Sequence, residues 1–136
     1  MKTPILCDLD GVVWLMHQPI AGSVDAISRL RHAGHRVLFV TNNSFSTLAK
    51  QESALAKIGI AAEGDVCTSA GAAALLLSPG ERVLVAGGAG IIEAAEAAGA
   101  VVVATTDDAM SDAEFAARAT SIDTVIAGYH SSFDYK

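Results

Sequence analysis

Two short apolar runs in the first forty residues each stop abruptly at polar side chains, and the stretch between them is long enough for one helix. The first run, Ile5-Leu6-Cys7, leads to Asp8-Leu9-Asp10-Gly11, and the second, Val37-Leu38-Phe39-Val40, leads to Thr41-Asn42-Asn43-Ser44. Between them, 23–34 carries Val24, Ile27 and Leu30 at helical spacing, with Ser23 as the expected N-cap and Gly34 where a C-terminal glycine belongs. A strand, helix and strand of these lengths predict a right-handed βαβ unit with parallel strands. Asp8, Asp10 and Thr41 are thereby expected at one carboxyl edge, the side on which open α/β sheets bind ligands.

Side chains on an extended strand alternate in direction, so Asp8 and Asp10 share a face, and Gly11 allows a sharp turn directly afterwards. Two crowded acids are costly without a cation, which points to a bound metal, a nucleophilic carboxylate, or both. A polar loop after a strand is the plainer alternative. A hydroxyl, an amide side chain and backbone N–H groups at 41–44 suit a phosphate, and an Asx-type turn is the plainer alternative there.

These residues together resemble the haloacid dehalogenase-like phosphatases, in particular the NagD-like, p-nitrophenylphosphatase-type branch with a large cap. The strings that carry the resemblance are DLDGVVW at 8–14, PIAGSVDAI at 19–27, FVTNNS at 39–44, TSAGAAALLL at 68–77, RVLVAGGAGIIEAAEAAGA at 82–100 and TVIAGYHSSFDYK at 124–136. They run in family order over nearly the whole chain. The fold so implied is α/β, a parallel Rossmann-like core over 1–79 followed by part of an α/β cap over 80–136, with the break at Ser78-Pro79-Gly80.

By this resemblance Asp8 is the nucleophile that becomes an aspartyl phosphate, and Asp10 is the acid that protonates the leaving alcohol and then the base that activates water. Mg²⁺ is implied as cofactor, held by the Asp8 side chain and the Asp10 backbone carbonyl. Thr41 and Asn42 match the motif that holds the phosphoryl oxygens. The implied substrate is a small phosphorylated metabolite, such as a sugar phosphate or a nucleotide. His130 stands where the cap signature G-x-D-x-x-F-x-Y has its acid, so it is a possible cap residue that touches substrate, with a surface histidine as the alternative.

The chain departs from the family in two places. A lysine and an acidic cluster that complete such a site lie downstream of the cap in this branch, so the chain as given reads as ending inside the cap, with the return to the core absent. Lys136 fits the cap signature rather than the missing lysine. Asp107, Asp108 and Asp112 follow the apolar run 101–104 and imitate the acidic cluster, but Ser111 and Glu114 have capping-box spacing. The three acids therefore read as a solvated cap loop. A noncatalytic binding or interaction module is the second function class consistent with these departures.

Composition narrows the classes further. Hydrophobic residues make up 51% of the 136, yet no apolar run reaches the ~18 residues that span a bilayer. No membrane segment and no secretory signal is expected, so the cytoplasm is the default. A net charge of −6 argues against nucleic-acid binding, which needs clustered Lys and Arg. Cys7 and Cys67 read as small buried hydrophobes in strands. Gly87-Gly88-Ala89-Gly90 fails the dinucleotide spacing, because Glu93 stands where the third glycine belongs, and reads as a tight turn. Uncovered sheet edges and apolar faces make a homo-oligomer possible.

Overall fold

The computed structural model describes residues 2–105 and 107–131. The expectations that concern Thr106, Phe133 and Lys136 lie outside the described residues. The chain divides into two compact units, one formed by 1–42 and 48–68, the other by 43–47 and 69–136. The contact boundary thus falls between Thr68 and Ser69, ahead of the Ser78-Pro79-Gly80 break that composition suggested, and the short segment 43–47 packs with the second unit.

In the first unit, β1 (Ile5–Asp8), β4 (Val37–Thr41) and β5 (Val66–Thr68) form a parallel sheet in the order β1-β4-β5. The strand-helix-strand reading of 5–41 is therefore realised, with α1 (Ser23–His32) as the crossover. Val37 and Phe39 are fully buried on one face, and they pack with Leu9, Ile27 of α1 and Leu55 of α2 (Leu48–Lys57) in one hydrophobic cluster. Arg31 lies over the Phe39 ring at 5.6 Å and also pairs with Asp65 at 3.6 Å. The other face is open: Leu6 is 70% exposed, and Val40 and Cys67 are exposed beside it. Cys67 is thus no buried hydrophobe, because strand alternation turns it to the uncovered side.

Local chemistry closes the helices much as the sequence implied, with one exchange of roles. Gly22, at φ 84°, is the N-cap of α1, and Ser23 is its first helical residue, donating from Oγ to the Val13 carbonyl at 2.8 Å. The expected serine cap is replaced because this hydroxyl ties the helix to the preceding loop. At the other end Gly34, at φ 85°, donates to the Arg31 carbonyl while His35 donates to Leu30, a Schellman motif. Gly59 closes α2 in the same way. In α2 the buried positions are Gln51 and Leu55, whereas Leu48 is 39% exposed. A two-stranded antiparallel hairpin, β2 (Trp14–Leu15) with β3 (Gln18–Pro19), completes the unit.

The second unit repeats the α/β logic. Its strands β6 (Arg82–Ala86), β7 (Val101–Thr105) and β8 (Thr124–Ala127) lie parallel in the order β7-β6-β8. The connecting helices are α4 (Ala89–Ala97) and α5 (Asp112–Ala119), so the alternation expected beyond residue 80 is realised. Val83 and Val85 of the central strand are fully buried with Ile91 and Ala95. Helix α3 (Ser69–Ala74) contributes Ala70 to this core, and so belongs here rather than against the first sheet. Ser111 caps α5 in a complete capping box with Glu114, as its spacing predicted. The Ser111 amide and hydroxyl both donate to the Glu114 carboxylate and hold it below its usual range.

Phe39 fills the center of the first core with no exposure. Phe39→Ala is expected to cost about 3–5 kcal/mol of stability, by lost burial plus the cavity left behind, as read by urea denaturation.

Candidate functional site

The register of the first sheet decides what stands at its carboxyl edge. Asp8 lies beside Val40 and Thr41 beside Thr68, so the last residues of three parallel strands come to one edge of one sheet. Asp8 is exposed on the open face, while Thr41, at 2% exposure, is turned to the covered one. Thr68, 9% exposed, is the residue that sequence reasoning left out of the site. Its signal was available, since it too ends an apolar strand, but no acid or amide accompanies it there.

Beyond β1 the chain turns back on itself. The amides of Val12, Val13 and Trp14 all donate to the Leu9 carbonyl, at 3.3, 2.9 and 3.1 Å, and Gly11 donates to the Trp14 carbonyl at 2.8 Å. Gly11 takes φ 86°, a left-handed conformation that side chains rarely adopt. Leu9 goes into the core and Asp10 to the surface. Trp14 is buried to 1% exposure, and its Nε1 donates to Asp10 Oδ1 at 2.9 Å. Trp14 therefore packs in the first core, and its indole N–H also fixes the orientation of the Asp10 carboxylate. Cys7, next to Asp8, has its thiol pushed up by burial and then by the Asp8 charge, which disfavours the thiolate.

Among the described residues, no group of three or more His, Cys, Asp or Glu side chains gathers as a metal site. Asp8 and Asp10 would accordingly supply only part of a cation's shell. That donor set fits Mg²⁺, a hard ion that takes one or two carboxylates and otherwise keeps water or phosphate oxygens.

The segment after Asn42 belongs to the second unit. Asn43 Oδ1 accepts from the amides of Phe45 and Ser46 at 3.0 and 3.1 Å, so the Asx-type turn considered for this string is present at Asn43. Ser44 Oγ accepts from the Tyr129 amide at 3.1 Å, and the Phe45 carbonyl accepts from the Gly90 amide at 2.9 Å. Helix α4 has no side-chain cap, and this carbonyl serves in place of one. The glycines that looked like a nucleotide loop are a seat for 44–46: a Cβ at Gly90 would stand 2.3 Å from the Ser46 carbonyl oxygen, and one at Gly88 would stand 2.8 Å from the Phe45 Cα. His130 is buried, not a surface histidine, with its Nε2 3.1 Å from Asp107 Oδ1 and its ring 6.1 Å from that of Phe45. Asp107 and Asp108 remain exposed in their loop.

A family profile described as haloacid dehalogenase-like hydrolase matches residues 5–101. The chain belongs to the haloacid dehalogenase-like hydrolases. Within that family it is 43% identical over 88 residues to a D-glycerol 3-phosphate phosphatase of Mycobacterium tuberculosis, covering 61% of this chain and 24% of that one. It is 34% identical over 135 residues to an acid sugar phosphatase of Staphylococcus saprophyticus, covering 96% of this chain and 47% of the relative. The crystal structure of a glycerol phosphate phosphatase from M. tuberculosis in complex with magnesium superposes with a TM-score of 0.72 at 30% identity, covering 96% of this chain and 37% of that one. The chain thus spans less than half the length of these relatives. The NagD-like, p-nitrophenylphosphatase-type resemblance read from the motifs is borne out by these matches, and so is the α/β fold class with parallel sheets.

Gly90→Ala is expected to destabilise the second unit by about 1–3 kcal/mol, because the added methyl meets backbone carbonyls that have little room to yield. Thermal unfolding of the variant beside the wild type is the measurement, and an unchanged midpoint would contradict the clash.

Proposed function

We propose that this protein hydrolyses small phosphomonoesters with Mg²⁺ by way of an aspartyl phosphate on Asp8. The observation that carries the reading is the shared carboxyl edge, where Asp8 ends one strand and Thr41 ends its parallel neighbour. Support comes from relatives that are named as phosphatases, among them one crystallised with magnesium. In this reading the first unit supplies the core part of the enzyme and the second the cap.

An Asp8 carboxylate oxygen attacks phosphorus, and the bond to the leaving oxygen breaks as Asp10, in its acid form, donates a proton to that oxygen. Asp10, then a carboxylate, takes a proton from water, whose oxygen displaces Asp8 from phosphorus and releases inorganic phosphate. The Trp14 indole N–H keeps the Asp10 carboxylate oriented for both transfers. Thr41 and Asn42 hold the phosphoryl oxygens through hydroxyl and amide donors. The Asp8 side chain and the Asp10 backbone carbonyl would hold Mg²⁺, whose charge when bound would offset the repulsion between anionic nucleophile and anionic phosphate.

His130, on the second unit, is proposed to influence which leaving group is accepted. The substrate is read as a sugar phosphate, a nucleotide or a similar metabolite, and the setting as cytoplasmic. No helix among the described residues is long and apolar enough to cross a membrane. A noncatalytic module is the less favoured reading, since the relatives' names are those of enzymes. Exposed Leu6 and Val40 on the first unit support homo-oligomer formation, and sedimentation of the chain is expected to show a dimer or larger species. A stable monomer removes that part.

With Mg²⁺ and beryllium fluoride, a mimic of the phosphoryl group, fluorine NMR is expected to show a bound species on the wild-type chain and none on Asp8→Asn. In a chain long enough to turn over p-nitrophenyl phosphate, the same substitution is expected to reduce the rate to background. Retained activity would sink the assignment of the nucleophile.

A further inference from the structure

A groove of about 780 Å³ runs between one side of α2 and the turn of the β2–β3 hairpin, within the first unit. None of Asp8, Asp10, Thr41 or Asn42 lines it. On the helix side it is bordered by Lys50, Ser53 and Lys57, and on the hairpin side by His17 and Gln18, over small and apolar residues such as Ala54. Lys50 and Lys57 are seven residues apart, so they stand two turns from each other on one stripe, about 10 Å along the axis, with the Ser53 hydroxyl between them.

The charge of this lining is at odds with the rest of the molecule. The chain has 15 acidic residues against 9 lysines and arginines, yet among the described residues no carboxylate borders the groove. The one acid of α2, Glu52, is drawn away, its carboxylate accepting from the Gly64 amide at 3.0 Å. The hairpin wall is also built at a cost. Met16 and His17 form its turn with φ 48° and 64°, in the left-handed region where asparagine and glycine are the usual occupants. Packing holds His17 there, with its ring 4.9 Å from that of buried Trp14. Strained residues of this kind are kept where the surroundings over-determine them, and they gather at ligand clamps.

We propose that this groove is a second anion site that takes a small molecule with two anionic groups, one at each lysine, hydrogen-bonded between them by Ser53 and Gln18. The recognised chemistry is that of a bisphosphate or a phosphorylated carboxylic acid. A donor-lined groove without carboxylates needs no metal to receive such a ligand. This inference does not rest on catalysis at Asp8.

Pyrophosphate is the probe, added without Mg²⁺ to the 136-residue chain and followed by heteronuclear NMR. The amides of Gln18, Ser53 and Lys57 are expected to shift together in a saturable way, and the affinity to fall as salt is raised. Lys50→Glu with Lys57→Glu is expected to weaken binding roughly tenfold or more, the scale of lost charge-assisted hydrogen bonds. Both side chains are exposed, so the double variant should keep the wild-type circular dichroism. Asp8→Asn is expected to leave the titration unchanged, which separates this site from the proposed phosphatase chemistry. The inference is overturned if no amide shifts, if the shifts fall on Thr41 and Asn42 instead, or if the folded double variant binds as tightly as wild type.

Discussion

The parallel pairing of β1 with β4 is the constraint from which the site follows. Because Asp8 lies opposite Val40 and the next residue is Thr41, one register places a carboxylate and a hydroxyl at the same edge. A slip by one residue would exchange the faces of every side chain in β1, sending Leu6 inward and Cys7 out. The buried face prevents this. Val37 and Phe39 have no exposure, and the cluster with Leu9, Ile27 and Leu55 forms only in the register observed. The apolar core on one side of the sheet thus sets the position of polar groups at its end.

A second constraint acts just past that edge. Residues 43–47 leave the first unit and fill a seat that only glycine can form, at Gly88, Gly90 and Gly128. The Phe45 carbonyl then occupies the N-terminus of α4, where a free helix end would otherwise attract an anion. The failed dinucleotide spacing and this occupied helix end go together: the glycines admit backbone contact with the chain itself.

Much of this was legible from residue order. Apolar runs broken by Asp8 and Thr41, the glycine that ends α1, and the Ser111–Glu114 spacing all encode local geometry, and each was realised. The hairpin at Trp14–Pro19 was not legible, because Met16 and His17 carry none of the Asn-Gly signal that such turns usually show. Tertiary packing around Trp14 overrides the local preference. The true partner of α3 and the seat of 43–47 were hidden for a related reason, since both depend on contacts far apart in sequence. The exposure of Cys67 and the burial of His130 likewise depend on which faces other elements cover. The motif residues Asp8, Asp10, Thr41 and Asn42 could be named early, whereas the place of Thr68 beside Thr41 took the strand register to see.

The hydrogen bond from the Tyr129 amide to the Ser44 hydroxyl spans 85 residues. During synthesis from the N-terminus, the serine leaves the ribosome long before its partner exists. The first sheet can pair as soon as β5 has emerged, but the second unit has to wait for β8 and then close over a segment made much earlier. Long-range closures of this kind slow folding, because the loop's entropy is lost before the contact can reward it. Closure of the second unit is therefore expected to lag behind pairing of the first sheet, with the glycine seat filled only after β8 has emerged.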